Sequence, residues 1–170
     1  LALSEEAAED LKKFSRWLVR NVEIANGNPL VSGSTVIDFG CGNGRNLVYL
    51  AKEFGVQGTG IDISSEAISQ AQAAAQEAGD LPLSFATRSI AGAFPEFADE
   101  SCDLALDMMT SHFLKAAQRD TFRDELVRIL KPGAWFFFKT FVSDGDLHTP
   151  RLLRDHPADE PGAYIHPRLN

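Results

Sequence analysis

The residues best equipped for chemistry lie in three short runs. Asp38 stands two residues before a glycine cluster at Gly40, Gly42 and Gly44, Asp62 follows 22 residues after Gly40, and Asp107 and His112 close a later apolar run. Glycines so spaced let backbone amides approach a ligand closely where a strand gives way to a helix. A carboxylate just ahead of Gly40 would face the negative charge of a pyrophosphate, whereas it suits the ammonium of a bound amino acid. Charge sign therefore favours a cationic ligand. Asp62, ending the next apolar run, holds the position from which an acid accepts both hydroxyls of a ribose. The dinucleotide fingerprint G-x-G-x-x-G fails, because its sixth position from Gly40 is Arg45. Asp107 could bind an amino group or orient a second reactant, and His112 has an ordinary pKa suited to a base. The bland alternatives are a glycine turn with two capping carboxylates and no ligand, and a histidine that satisfies local backbone.

Positioning these groups takes alternating elements. Ala7, Leu11, Phe14 and Leu18 recur at helical spacing behind a cap at Ser4, with Glu5 and Glu6 in the first turn, and the pattern stops before Asn26-Gly27-Asn28-Pro29. Thr35 to Gly40 reads as a strand, and Leu47, Leu50, Ala51 and Phe54 as a helix ended by Gly55. Gly58 to Ile63 is a second strand, after which Ser64 or Ser65 caps a helix faced by Ala67, Ile68, Ala71, Ala75 and Ala78. Leu83 to Arg88 and Cys102 to Met108 are two more strands. Phe122, Leu126, Ile129 and Leu130 define a helix that Lys131-Pro132-Gly133 terminates, and Ala134 to Val142 is a fifth strand. Strands separated by helices predict a three-layer α/β sandwich with a mostly parallel, Rossmann-like sheet, since parallel neighbours need a crossover. Three regions follow: an N-terminal helical segment over 1–30, the sheet-bearing core over 31–142, and a proline-rich tail or insertion over 143–170 with a short helix near Arg151 to Asp155.

The run Val36-Ile37-Asp38-Phe39-Gly40-Cys41-Gly42-Asn43-Gly44 resembles the first motif of the class I S-adenosylmethionine-dependent methyltransferases. Gly60-Ile61-Asp62-Ile63-Ser64 resembles the second. Cys102-Asp103-Leu104-Ala105-Leu106-Asp107 is similar to the family's fourth strand, and Glu125 to Gly133 to the helix and turn before its fifth. The likeness spans residues 33 to 141. It implies S-adenosyl-L-methionine as cofactor and S-adenosyl-L-homocysteine as product. It also implies contacts from Asp38, Phe39, Gly40, Cys41 and Gly42 at the methionine end, Asp62 and Ile63 at the ribose, Ser89 and Ile90 at the adenine, and Asp107 and Met108 nearby. Ser89 stands where many relatives carry an acid. Asp107 and His112 are the candidate catalytic residues. The resemblance further implies seven strands, of which five are visible. The apolar Trp135-Phe136-Phe137-Phe138 edge therefore requires either chain beyond Asn170 or a homo-oligomeric partner.

A charge of -8 and a pI near 4.9 disfavour nucleic acid, although Lys12, Lys13, Arg16 and Arg20, or Lys115, Arg119 and Arg123, could each make one basic helix face. Lys139 invites comparison with ribose 2'-O-methyltransferases, and by the family resemblance the absence of Asn-Pro-Pro-Tyr after the fourth strand argues against amino-methylation of adenine or of glutamine. A small-molecule acceptor is favoured. RNA or protein modification, an NAD-dependent oxidoreductase and a non-catalytic cofactor-binding module are the alternatives. No metal is expected, because His148, His156 and His166, with Asp144, Asp146 and Asp155, lack ligand spacing. Cys41 and Cys102 form no CxxC pair, and neither a membrane span nor a signal peptide is visible, which predicts a cytoplasmic protein. A first residue of Leu rather than Met predicts something upstream.

Overall fold

A strand buried on both faces must lie inside a sheet, and β1 (Thr35–Phe39), with four of its five residues buried, is such a strand. In the computed structural model, which describes residues 4–23, 25, 27, 29–141 and 148–165, β1 is the middle of five. Its neighbours are β2 (Gln57–Asp62) and β4 (Cys102–Met108); β3 (Leu83–Thr87) and β5 (Leu130–Lys139) flank them, giving the order β3-β2-β1-β4-β5 with every pairing parallel. The three-layer α/β architecture read from the sequence is the one observed.

Alternation along the strands divides the core. Val36, Leu104 and Leu106 point to one face, where they meet Leu11 and Leu18 of α1 (Glu9–Arg20) and Leu47 and Leu50 of α2 (Arg45–Phe54). Ile37, Phe39, Ile61 and Ala105 point to the other, against Phe122, Leu126 and Ile129 of α4 (Ala116–Ile129). The helix α3 (Ser65–Glu77) packs on β2 and β3, capped by Ser64 Oγ, which accepts from the Ala67 amide at 3.2 Å.

Several boundaries differ from the sequence reading. Ser4 does not cap α1: the helix starts at Glu9, so the acids of its first turn are Glu9 and Asp10. Its start is fixed by a tertiary bond, the Ala8 amide donating to Asn46 Oδ1 at 3.0 Å, which no local pattern encodes. Lys131-Pro132-Gly133 does not precede β5 but is looped within it. The register steps from Cys102–Leu130 to Leu104–Trp135, and Gly133 turns at φ +82° beside a proline that has no N–H for the ladder. Val142 lies outside the described residues. The tail holds α5 (Thr149–Asp155) and an antiparallel bridge between Pro157 and Tyr164, and its Glu160 carboxylate accepts from the Ala116 amide at 3.0 Å.

The apolar β5 is covered on one face by α1. Phe14 stacks on Phe137 at 4.6 Å and meets Trp135 edge-on at 5.8 Å, while Trp135 Nε1 donates to the Ala25 carbonyl at 3.0 Å. The Lys139–Asp10 ion pair beside them is exposed. Hydrophobic contact, rather than charge, should therefore carry this junction. Phe14→Ala is expected to cost about 2–4 kcal/mol in urea unfolding and to red-shift tryptophan emission. Lys139→Met should change stability by less than about 1 kcal/mol, and the reverse order of effects would refute the assignment.

Candidate functional site

The carboxyl ends of β1, β2 and β4 bring together the glycine turn, Asp38, Asp62, Asp107 and His112. Gly40 takes φ +80° with its amide bonded to the Ile61 carbonyl at 2.7 Å, and a Cβ there would lie 2.1 Å from Thr110 Oγ1. The turn is thus pressed between β2 and the residues following β4, a packing that only glycine permits. The Cys41 amide also goes to Ile61, the Gly44 amide to Cys41, and the Gly42 amide to Asp62 Oδ2 at 2.9 Å. The amides of Gly40, Cys41, Gly42 and Gly44 are thus used inside the protein. The acids gathered around this turn would repel a pyrophosphate, which weighs against a dinucleotide. Asp62 clamps the turn from below, since Oδ1 accepts from the Ser64 amide at 2.9 Å. A carboxylate offers about four acceptor positions, so two remain for a ligand.

Asp38 is 1% exposed and Asp107 is fully buried, yet Oδ2 of each has no hydrogen-bond partner. Asp107 Oδ1 accepts from the Thr110 and Ser111 amides at 3.0 and 3.1 Å, which anchors the 3₁₀ turn Ser111–Phe113. Burial pushes the Asp38 carboxyl up to about 7, the neighbouring Asp107 and Asp62 push the same way, and Arg45 opposes them. An unpartnered carboxylate in a low-dielectric site is costly unless a cation arrives. His112 Nδ1 is the third buried polar atom lacking a partner among the described residues. Burial holds this imidazole below its ordinary value, with Asp107 opposing, so the ring is neutral at neutral pH. Either neutral tautomer leaves Nδ1 unpaired, as donor or as acceptor.

Comparison with known proteins decides the family. Residues 36–133 match the model of a methyltransferase domain. The chain is 33% identical over 125 residues to the O-methyltransferase resE of Aspergillus sclerotiorum, covering 72% of this chain and 45% of that protein. It is also 33% identical over 129 residues to the fatty-acid O-methyltransferase of Mycolicibacterium smegmatis, covering 75% and 44%. The chain belongs to the class I S-adenosylmethionine-dependent methyltransferases. It spans less than half the length of those two relatives. Among solved structures, a methyltransferase of Thiobacillus denitrificans in complex with S-adenosyl-L-homocysteine is 26% identical with a TM-score of 0.58, over 77% of this chain and 47% of that one. The [4+2]-cyclase SpnF, 24% identical with a TM-score of 0.55 over 71% and 41%, shares the fold.

Within this methyltransferase fold the residues expected to meet the cofactor differ in exposure. Ile63, 76% exposed, and the exposed Ser89 stand beyond the ends of β2 and β3. The side chains of Phe39 and Ile90 are buried in the α4-side core, Phe39 at 5.1 and 5.0 Å from the Phe94 and Phe122 rings, so a ligand would meet their backbone. Strand alternation dictates this, because Phe39 must face opposite to Asp38. Cys41 is buried, with its thiol pushed far up by burial. Met108 Sδ accepts from Asn46 Nδ2 at 3.2 Å and packs toward the α1 side. Lys139 pairs with Asp10 rather than with a site acid, which removes the ribose 2'-O comparison. Lys12, Arg119 and Arg123 are likewise ion-paired. His166, Asp144 and Asp146 lie outside the described residues.

Two residues were missed in the sequence. Thr110 closes over Gly40, and the buried Asn46 ties α1, α2 and β4 together; no local signal marked either. An open groove of about 1200 Å³ between α2 and α3 is lined by Arg45, Lys52, Glu66 and Gln70, but by none of the three aspartates.

The buried Asp38 should burden the ligand-free fold. Its folded-state value near 7 lies above the ordinary 3.8, so the folded protein binds the extra proton and stability falls as pH rises from about 4 to about 7. Asp38→Asn is expected to raise the urea unfolding free energy at pH 8 by up to roughly 4 kcal/mol, with a smaller gain at pH 5. Parallel stability-pH curves for parent and variant would contradict this account.

Proposed function

We propose that the protein transfers a methyl group from S-adenosyl-L-methionine to an O, N or S nucleophile of a small-molecule acceptor, leaving S-adenosyl-L-homocysteine. The observation that carries this reading is that two buried carboxyls, Asp38 and Asp107, each keep an unpartnered oxygen at the strand ends beside the glycine turn. Such a site asks for a cation, and an amino acid's ammonium supplies one. In this reading Asp38 and Asp107 hold the ammonium, and the backbone of Phe39, Gly40, Cys41 and Gly42 shapes the methionine end. Asp62 accepts from the ribose hydroxyls, and Ile63, Ser89 and the Ile90 backbone border the adenine. Met108 packs behind the site. When bound, the sulfonium supplies an electrophilic methyl group.

Catalysis then consists mostly of aligning the acceptor's lone pair behind that methyl group. His112 sits beside Phe113 at 4.0 Å and Phe141 at 5.3 Å between ring centroids. Those two aromatic side chains are 72% and 60% exposed, apolar surface on which an organic acceptor could rest. The relatives named as O-methyltransferases favour an oxygen nucleophile. The paired state of Lys12, Arg119 and Arg123 supports a small molecule over RNA. Residues 31–142 would form the cofactor-binding core, with 1–30 and 143–170 completing the acceptor side. Among the described residues no helix is long and apolar enough to cross a membrane and no cluster could hold a metal ion. The two free cysteines suit a reducing, cytoplasmic setting.

Isothermal titration with S-adenosyl-L-methionine tests the reading. Asp62→Ala is expected to weaken binding at least tenfold, because it removes both the ribose acceptor and the clamp on Gly42. Tighter binding of NADH than of S-adenosyl-L-methionine by the folded parent would overturn it.

A further inference from the structure

A connection with no helix or strand of its own must be held in place by other contacts. Residues 88–101, between β3 and β4, are such a connection, and they carry Ser89 and Ile90. The sheet fixes their first residue, the Arg88 amide donating to the Asp62 carbonyl at 2.7 Å. The Arg88 guanidinium serves the loop itself: it pairs with Glu96, donates to the Ala93 carbonyl and lies 4.9 Å from the centre of the Phe94 ring.

A second arginine reaches the loop from α4. Arg128 Nη2 donates to the Phe94 carbonyl at 2.9 Å, and Nη1 to the Phe97 carbonyl at 2.8 Å and to Asp99 Oδ1 at 2.7 Å. Its remaining N–H groups fork onto Glu125, Nε at 3.1 Å and Nη2 at 2.8 Å, so every donor of the guanidinium is used. Glu125 Oε2 in turn accepts from the Phe94 amide at 2.6 Å. Both backbone polar groups of Phe94 are thereby tied to one turn of α4, while its fully buried ring lies 5.1 Å from that of Phe39, the neighbour of Asp38 in β1.

This brace adjoins two unused donors. Among the described residues no hydrogen bond takes the backbone amide of Ser89 or of Ile90, and Ser89 Oγ accepts from the Ala91 amide at 3.1 Å. Ser89 offers a base no carboxylate, which leaves backbone N–H groups to read it. Such groups cannot swing to meet a ligand, so they are only as selective as the loop is well placed. Resting on the cofactor reading above, we propose that Glu125 and Arg128 are positioning residues for the cofactor's base. By holding Phe94 and Phe97 against α4, they fix the Ser89 and Ile90 amides as donors to a ring nitrogen of adenine. Hypoxanthine carries a proton on the ring nitrogen beside its exocyclic oxygen, where adenine carries a lone pair, so a fixed donor there rejects it. The ion pair selects the base without touching it.

Base selectivity tests this, because a ratio of affinities measured on folded protein is unmoved by a loss of global stability. The full chain is titrated calorimetrically with S-adenosyl-L-homocysteine and with S-inosyl-L-homocysteine, which differ in that base alone. The parent is expected to favour the adenine form by roughly tenfold, the scale of one hydrogen bond set against an unpaired donor. Arg128→Lys keeps the charge but cannot reach both carbonyls and Glu125 together, and should narrow that preference by about threefold or more. Glu125→Gln, which breaks the fork from the other side, should act the same way. In the parent, hydrogen exchange at the Ser89 and Ile90 amides should slow about tenfold or more when S-adenosyl-L-homocysteine binds; no slowing would overturn the inference even if neither variant folds. A parent without preference for the adenine form, or folded variants that keep the parent's preference, would also overturn it and leave the cofactor reading standing. Failure of the folded parent to bind S-adenosyl-L-homocysteine would overturn both.

Discussion

The structure depends on placing two carboxyl groups, Asp38 and Asp107, at the buried ends of adjacent parallel strands without a matching cation from the protein. Nothing in folding rewards that arrangement. Each side chain loses its hydration, one oxygen of each is left without a bond, and their mutual repulsion adds to the cost. A stable α/β core can carry such a burden only because Val36, Ile37, Phe39, Leu104, Ala105 and Leu106, on the same two strands, are almost wholly buried. The most apolar strands of the fold thus hold its least favourable polar groups, a conflict between levels that marks a functional site.

The rest of the site answers to that constraint. Asp62 could have been a third destabilising acid, but its two oxygens are committed to the Gly42 and Ser64 amides, so it stiffens the turn while keeping acceptor capacity. Committing those amides also defines what the turn is not. The loop directs four of its amides to Ile61, Cys41 and Asp62, and the acids behind it would repel a phosphate. The same strand-turn-helix geometry that serves dinucleotides elsewhere is here set for a ligand of opposite charge.

Much of this was legible in the sequence because its carriers are local. Period-two and period-3.6 patterns located all five strands and their helices, and glycine spacing located the turn; Cys102 to Met108 was read with its observed limits. Strand alternation was also in the sequence, and applying it to Asp38 and Phe39 together would have sent Phe39 to the core. The features that escaped are set by distant partners. The start of α1 depends on Asn46, the loop inside β5 on its register with β4, and the fit of Thr110 over Gly40 on the packing of two strand ends. The identity of Lys139's partner likewise required knowing where α1 lies. Local chemistry predicts which groups are present; only tertiary contact decides which of them are left unpaired.

That distinction bears on His112. As a sequence feature it is a histidine after the fourth strand, and a base is the natural reading. In the fold its Nδ1 is buried without a partner, and Asp107 Oδ1 is committed to the Thr110 and Ser111 amides. A triad-like base needs the opposite arrangement, with a donor on Nδ1 held by a carboxylate so that Nε2 is free to accept a proton. With the proton on Nε2, the imidazole offers a hydrogen-bond donor to whatever lies against Phe113 and Phe141. A donor can hold an acceptor oxygen by a lone pair while another lone pair attacks, which positions a nucleophile without deprotonating it. In-line methyl transfer to an acceptor that is already nucleophilic asks for no more than this.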